Sequence, residues 1–286
     1  MAVTVNSDLG QGLVRENWQA LYVTPFYERN KVLPFMLNKT ADVKKGDIVN
    51  IPVQTAALSV GTVNASTAAL NIQTPTITNV QLSVNSPRDV SVDLHGVSRE
   101  QAESEFESNF PGQAGEALSE EMEAAALALY SAATGTAVGS SGGSIGEDEL
   151  LAAIQAAVTA KLPIMKSPGE FCFALADNAF APLRKLNIFD HAKTGVAGES
   201  AAKDLNLESY GGVPVRFSTQ VALNNGDRKS MLFHKSAFAW AAQKNPEYAL
   251  VDRKAAAQWS YLMTCIGLYG VKEVATARAF VITHKA

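Results

Sequence analysis

Polar and apolar residues alternate with period two along 46–94, and the period lengthens to that of a helix beyond about residue 98. Val49, Ile51 and Val53 alternate with polar neighbours after Gly46-Asp47, and Val80/Leu82/Val84 and Val90/Val92/Leu94 repeat the pattern. Gly61, Asn64 and Pro75 punctuate the middle of this β region. The change of phase between Ile77 and Val80 predicts a bulge or bend. Ser98 with Gln101 predicts a capping-box start for a helix of about three turns, which Pro111-Gly112 ends. A longer helix is predicted over 113–133. Leu118, Met122, Ala125, Leu129 and Ala133 form its apolar stripe, and Glu116, Glu120 and Glu123 fall on its solvated face.

The small-residue stretch 134–146 (TGTAVGSSGGSIG) reads as a flexible hinge and a domain boundary. Ser144 and Glu147 predict a second capping box, opening a helix with Leu150, Ile154, Ala157 and Val158 on one face and a stop before Pro163. An α/β unit follows over 146–243: a strand at 171–175, a helix at 177–186, strands at 213–217 and 231–234, and a short helix at 236–242. Strands at 259–268 and 279–282 close the chain, with a turn near Gly270. At the other end, Pro25 and Pro34 break the helical pattern of Leu13, Trp18 and Leu21, so residues 1–45 read as an arm. Trp18, Phe26, Tyr27 and Phe35 are many aromatics for a segment with little core of its own, and such an arm is expected to lie against another subunit. No internal repeat is apparent.

Charge changes the picture most by its absence. From Ile48 through Pro87 there is no Asp, Glu, Lys or Arg, where composition would supply roughly seven. Strand edges are normally guarded by charge or proline because bare ones recruit other chains. A β segment this poor in charge is built to be covered, and self-association is the leading reading. The rest of the composition is that of a folded protein, 47% hydrophobic over 286 residues. The net charge of −4 argues against affinity carried by a basic stripe, though not against a protein that merely surrounds nucleic acid. Cys172 and Cys265 lie far apart in apolar runs and read as buried reduced thiols. The first residues lack the basic and apolar regions of a signal peptide, and no apolar run is long enough to span a bilayer, so cytosolic synthesis is expected.

Candidate chemistry is thin. Gly139-Ser-Ser141-Gly-Gly143 matches the G-x-S-x-G nucleophile elbow, but a buried strand should feed that turn and a Gly/Thr stretch precedes it here. The same glycines lack the lysine of a phosphate loop. His95, His191, His234 and His284 are scattered without metal-ligand spacing, and His234 is expected to be a partly buried structural residue. Glu120-Glu121 with Glu123 reads as a solvated helix face, and Glu147-Asp148-Glu149 as complementing a helix N-terminus. Asn38-Lys-Thr40 and Asn64-Ala-Ser66 are glycosylation acceptors only in a secretory context. The expectation is no enzyme, no cofactor and no metal.

Taken in order, the segments resemble the major capsid proteins of tailed bacteriophages, with the HK97-type fold, in their short-tailed branches. Gly46-Asp-Ile-Val-Asn-Ile-Pro-Val53 looks like the strand opening that family's extended loop, and Ala124-Ala-Ala-Leu-Ala-Leu-Tyr130 is similar to the end of its spine helix. Gly211-Gly-Val-Pro-Val-Arg-Phe-Ser218 resembles its recurrent strand and turn, and Leu232-Phe-His-Lys-Ser-Ala-Phe-Ala-Trp240 its late strand–helix junction. Ile266-Gly-Leu-Tyr-Gly-Val271 and Ala279-Phe-Val-Ile282 are similar to its closing strands. The resemblance implies an α+β chain with an N-terminal arm (1–45), an extended β loop (46–87), a peripheral domain holding the spine helix (88–135 and 245–286) and an α/β axial domain (136–244). It implies self-assembly into hexamers and pentamers of an icosahedral shell around double-stranded DNA, without sequence-specific binding or a membrane. Portal, scaffolding and decoration proteins are the implied partners, with assembly in the host cytoplasm and residence in the virion capsid. Trp18, Phe26, Val60, Val63, Leu70, Ile72 and Ile77 are the expected subunit-interface residues. Some members crosslink through a Lys–Asn isopeptide bond with the lysine on the extended loop, but residues 48–87 contain no lysine. The alternatives are an encapsulin-like compartment shell and, further off, a hydrolase using Ser141.

Overall fold

Phe171-Cys-Phe-Ala-Leu-Ala176 is apolar at every position, the signature of a strand covered on both faces. All six residues are buried in the computed structural model, which describes residues 31–43, 47–54, 58, 60–61, 72–95, 104–184, 209–252 and 260–286. This strand, β6, lies inside a seven-stranded sheet with β5 (Val138–Gly139), β7 (Ser209–Tyr210), β8 (Val213–Ser218), β9 (Leu223–Asn224), β10 (Asp227–His234) and β13 (Ala279–Lys285). Phe171, Phe173 and Leu175 pack with Leu150, Ala153 and Ala157 of helix α2 (Glu147–Thr159). Cys172, Ala174 and Ala176 face the other way, onto Ala126 and Leu127 of helix α1 (Ser104–Leu127). A short helix, α3 (Phe180–Arg184), follows β6.

A second sheet of four strands runs in the order β1 (Leu37–Asn38), β11 (Phe238–Asp252), β12 (Ser260–Glu273) and β4 (Ser86–His95). The first half of α1 covers it: Phe110, Ala114 and Leu118, spaced four apart, pack on Met263 and Cys265 of β12 and on Val90 and Val92 of β4. The third sheet is a hairpin, β2 (Ile48–Gln54) with β3 (Ile77–Ser83). Its root is buried, with Val49, Ile51 and Leu82 packed against Ala239 and Ala241 of β11.

Several sequence expectations fail for identifiable reasons. Pro111-Gly112 does not end a helix; α1 runs through it for 24 residues, about 36 Å. Anchors at Phe110, Ala114 and Leu118 hold the helix to the sheet on both sides of the proline, so packing overrides a local break. The helix start expected at Ser98–Gln101 lies outside the described residues. No bulge separates Ile77 from Val80, because the register from Ile48↔Ser83 to Gln54↔Ile77 is unbroken; Ile77 simply points outward. The capping residue of α2 is Gly146 rather than Ser144, and Glu149 Oε2 accepts the Gly146 N–H at 2.8 Å. Residues 236–242 are not helical: Phe238 opens β11, which pairs β12 along its length and β1 at Ala239 and Trp240. The strand 259–268 extends unbroken to Glu273, so Gly270 is no turn. A Cβ there would collide with the Ser83 carbonyl, and the glycine is what lets β3 and β12 touch.

The expected hinge is stitched down. Thr134 N–H donates to Thr276 O and Gly135 N–H to Ala279 O, β5 pairs β13 in parallel, and Lys285 N–H donates to Gly143 O at 2.7 Å. Its glycines serve close approach, because a Cβ at Gly135 would meet the Ala279 carbonyl and the Phe280 ring. The closing strand β13, grouped by sequence with 245–286, thus pairs with β10 and β5 in the seven-stranded sheet. The described part of the arm packs on its own chain, with Val32, Leu33 and Met36 buried against Ala126, Leu127 and Phe238. Both thiols are buried and unbridged, and burial pushes Cys172 up to about 12.

Buried His284 anchors β13. Its Nδ1 lies 3.0 Å from the Lys285 carbonyl, which can only accept, so Nδ1 carries the proton and Nε2 accepts from Ser230 Oγ at 2.9 Å. Burial lowers its pKa by disfavouring the imidazolium. The unfolded chain therefore binds the proton more readily, and this stability is fully present above about pH 6.5 and lost as the pH falls below it. Urea midpoints measured at about pH 7.5 and about pH 5.5 are expected to differ less for His284→Gln than for the wild type; equal differences would refute the assignment. Gly270→Val is expected to lower unfolding stability by about 2–3 kcal/mol in the same measurement, through forced separation of β3 and β12.

Candidate assembly surface

Beyond its buried root, hairpin β2–β3 becomes bare. Ile77 is 63% exposed, Ile72 88%, and Leu58 and Val60 stand open to solvent. Ile48 is half exposed on the outer face of β2. Among the described residues neither strand pairs with a third strand, so both are edge strands. Pro52 is tolerated because β2 is such an edge. Three residues expected at an interface from sequence, Val60, Ile72 and Ile77, are exposed and belong to the charge-free run 48–87. Val63, Leu70, Trp18 and Phe26 lie outside the described residues. Sequence reasoning missed Leu58 and Ile48, although both belong to, or border, the same charge-free run. It also missed Val251 and Ile266, which are exposed on the four-stranded sheet away from α1. Their signal was weaker because charged residues flank both strands.

The remaining candidate chemistry resolves into structural roles. The Gly142 N–H donates to the buried Asp227 carboxylate at 3.0 Å and, together with the Ser141 hydroxyl beside it, holds it below its ordinary pKa. Ser141 is a turn residue facing a carboxylate, and both nitrogens of the nearby His284 are already committed to Ser230 and Lys285. That is not a nucleophile–base pair. His234 is partly buried against the Phe171 ring, with Nδ1 bonded to Ser236 and Nε2 3.3 Å from Glu170. An open cleft of about 280 Å³ lies between β3, β4, α1 and β12. Arg88 lines it and pairs with Glu121 at 3.2 Å, and burial raises the pKa of the Tyr269 phenol there. No histidine, cysteine or carboxylate lines it. Among the described residues no three His, Cys, Asp or Glu side chains are grouped to hold a metal, and no helix is long and apolar enough to cross a membrane.

The acidic helix face needs a correction. Glu121 is exposed as expected, but Glu123 is 2% exposed and fully engaged. Its Oε2 accepts the N–H groups of Lys31 at 2.6 Å and Val32 at 3.2 Å, and its Oε1 accepts the Ser218 hydroxyl at 2.7 Å. Helical spacing assigned it to solvent because the arm that covers it is distant in sequence.

No protein-family model matches the chain, and no curated protein sequence matches it. Solved structures do. A chain of Mycobacterium phage Che8 superposes with a TM-score of 0.72 at 16% identity, covering 99% of this chain and 98% of that one. A chain from the capsid of the cyanophage P-SCSP1u gives 0.70 at 14% identity, covering 96% and 94%. One from the capsid of the cyanophage Pam1 gives 0.70 at 12% identity, covering 99% of both. The sheets, the spine-like α1 and the extended hairpin together make the α+β, HK97-like fold of phage capsid proteins.

Proposed function

We propose that this chain is the major structural subunit of a phage shell, assembling as hexamers and pentamers into an icosahedral container for double-stranded DNA. The carrying observation is the uncharged hairpin with Leu58, Val60, Ile72 and Ile77 bare in the isolated subunit. Depletion of charge marks the buried centre of protein interfaces, and an apolar limb of this kind is soluble only under a neighbour. A contact of standard size covers roughly 800 Å² per partner, so each limb and arm adds one modest contact. Many modest contacts per subunit make a stable shell whose growth errors can still dissociate. Net charge of −4 suits a wall that confines DNA without gripping it. Since residues 48–87 hold no lysine, cohesion is non-covalent along this loop, or is reinforced by a decoration protein. Portal and scaffolding proteins are the further partners of such a shell, built in the host cytoplasm. The likeness of the whole chain to phage capsid chains favours this reading over an encapsulin-like compartment.

Negative-stain microscopy of the purified chain, with scaffold supplied where needed, is expected to show closed particles. Ile72→Asp is expected to leave a folded, soluble subunit with unchanged thermal unfolding and no particles, since a buried unpaired carboxylate costs several kcal/mol at every copy of the contact. Normal shells from this variant, or a wild-type chain that stays monomeric at high concentration, would overturn the proposal.

A further inference from the structure

Glu123 poses a question that packing alone does not answer. Its neighbours on α1, Met122, Ala126 and Leu127, are apolar and fill the core, and an aliphatic residue at 123 would do the same. The carboxylate instead gathers three elements. Two consecutive N–H groups of the arm, at Lys31 and Val32, converge on Oε2, as they would on a helix-capping side chain. They head a 3₁₀ turn (Leu33–Phe35) whose carbonyl at Leu33 accepts from Trp240 Nε1 at 3.1 Å. On the other side Oε1 takes the hydroxyl of Ser218, the last residue of β8, which itself accepts from Gln220 N–H at 3.2 Å. Strand β8 meets the arm a second time through Arg216, whose guanidinium sits 5.1 Å over the Phe35 ring.

We infer that Glu123 is a positioning residue that fixes the segment Lys31–Phe35 on the subunit body, so that every copy presents this segment to assembly in one orientation. This inference rests on the shell reading above for its assembly half, and on the subunit alone for its latch half. Two charge-assisted bonds hold the backbone, one at the Lys31–Val32 peptide and one at the peptide before it. Loss of the acceptor deprives the buried Val32 N–H and the part-buried Lys31 N–H of it, and the segment gains by opening to water. Glutamine can still accept both N–H groups through its carbonyl while its amide faces Ser218 Oγ, so it is the conservative replacement.

Limited trypsin digestion of the full chain reads the latch at the Lys31–Val32 bond, and microscopy reads assembly. Glu123→Ala is expected to speed that cleavage by about ten-fold or more, to leave cleavage elsewhere in the body unchanged, and to give irregular or open particles. Glu123→Gln should restore most of the protection and closed shells. Should Glu123→Ala fail to fold, Glu123→Asp keeps the charge but shortens the reach, and should open the same bond. Unchanged cleavage in the variant overturns the latch, and accelerated cleavage with uniform closed shells overturns the positioning role. A wild-type chain that forms no shells overturns the shell reading with the assembly half, while the cleavage ratio still supports or overturns the latch.

Discussion

One helix serves two sheets, and the rest of the subunit is arranged around that fact. The first half of α1 covers β12 and β4 through Phe110, Ala114 and Leu118, and its last turns cover β6 and β10 through Met122, Ala126 and Leu127. Neither sheet could keep an apolar face of this size without it. Because both faces of β6 are buried, the seven-stranded sheet needs two covers, and α2 supplies the other. The two sheets are therefore coupled through a rigid rod about 36 Å long rather than through a loose tether. Segment 134–146, the natural suspect for a hinge, is bonded into the sheet edge and adds to that coupling.

A rigid body of this kind can hold out a limb that is poorly stabilised by itself. An isolated two-stranded hairpin is marginal in water. Here its root is fixed by Val49, Ile51 and Leu82 on β11 and by the approach of Ser83 to Gly270. The Asp47 carbonyl closes that root by accepting from Val84 N–H at 2.6 Å. Beyond the root, Ile77, Leu58, Val60 and Ile72 are exposed, so apolar surface is carried away from the body. The same division holds at the arm. Val32, Leu33 and Met36 are rooted in the body, and the carboxylate of Glu123 holds the N–H groups of Lys31 and Val32 there.

Much of this was legible in residues whose environment is set by near neighbours. Alternation at Val49/Ile51/Val53, the all-apolar run at 171–176 and the acidic first turn at 147–149 each specify their element locally. The limb was legible through an absence, since forty residues without charge, 48–87, constrain what can lie against them. What escaped was decided by partners remote in sequence. Pro111 stays helical because Met263 and Cys265 hold its flanks, and the Ala-rich stretch after Ser236 extends because β12 and β1 lie on either side. The glycines at 135 and 139 read as freedom and turn out to be close packing against β13. Glu123 read as a surface charge because its donors are remote in sequence, Lys31 and Val32 92 and 91 positions upstream and Ser218 95 downstream.

That last pattern carries a general consequence for a subunit of this type. Apolar contacts are non-directional, so a limb made of Val, Leu and Ile supplies adhesion but little angular information. Hydrogen bonds to a fixed carboxylate are directional. A shell requires both, because copies must stick and must also stick at a repeatable angle for the surface to close. In this chain the two demands fall on different residues. Under the proposed shell role, adhesion falls to the exposed hairpin, where charge is absent for a long stretch, and direction to a buried acid at the junction of arm, rod and sheet. Each can then vary without dismantling the other.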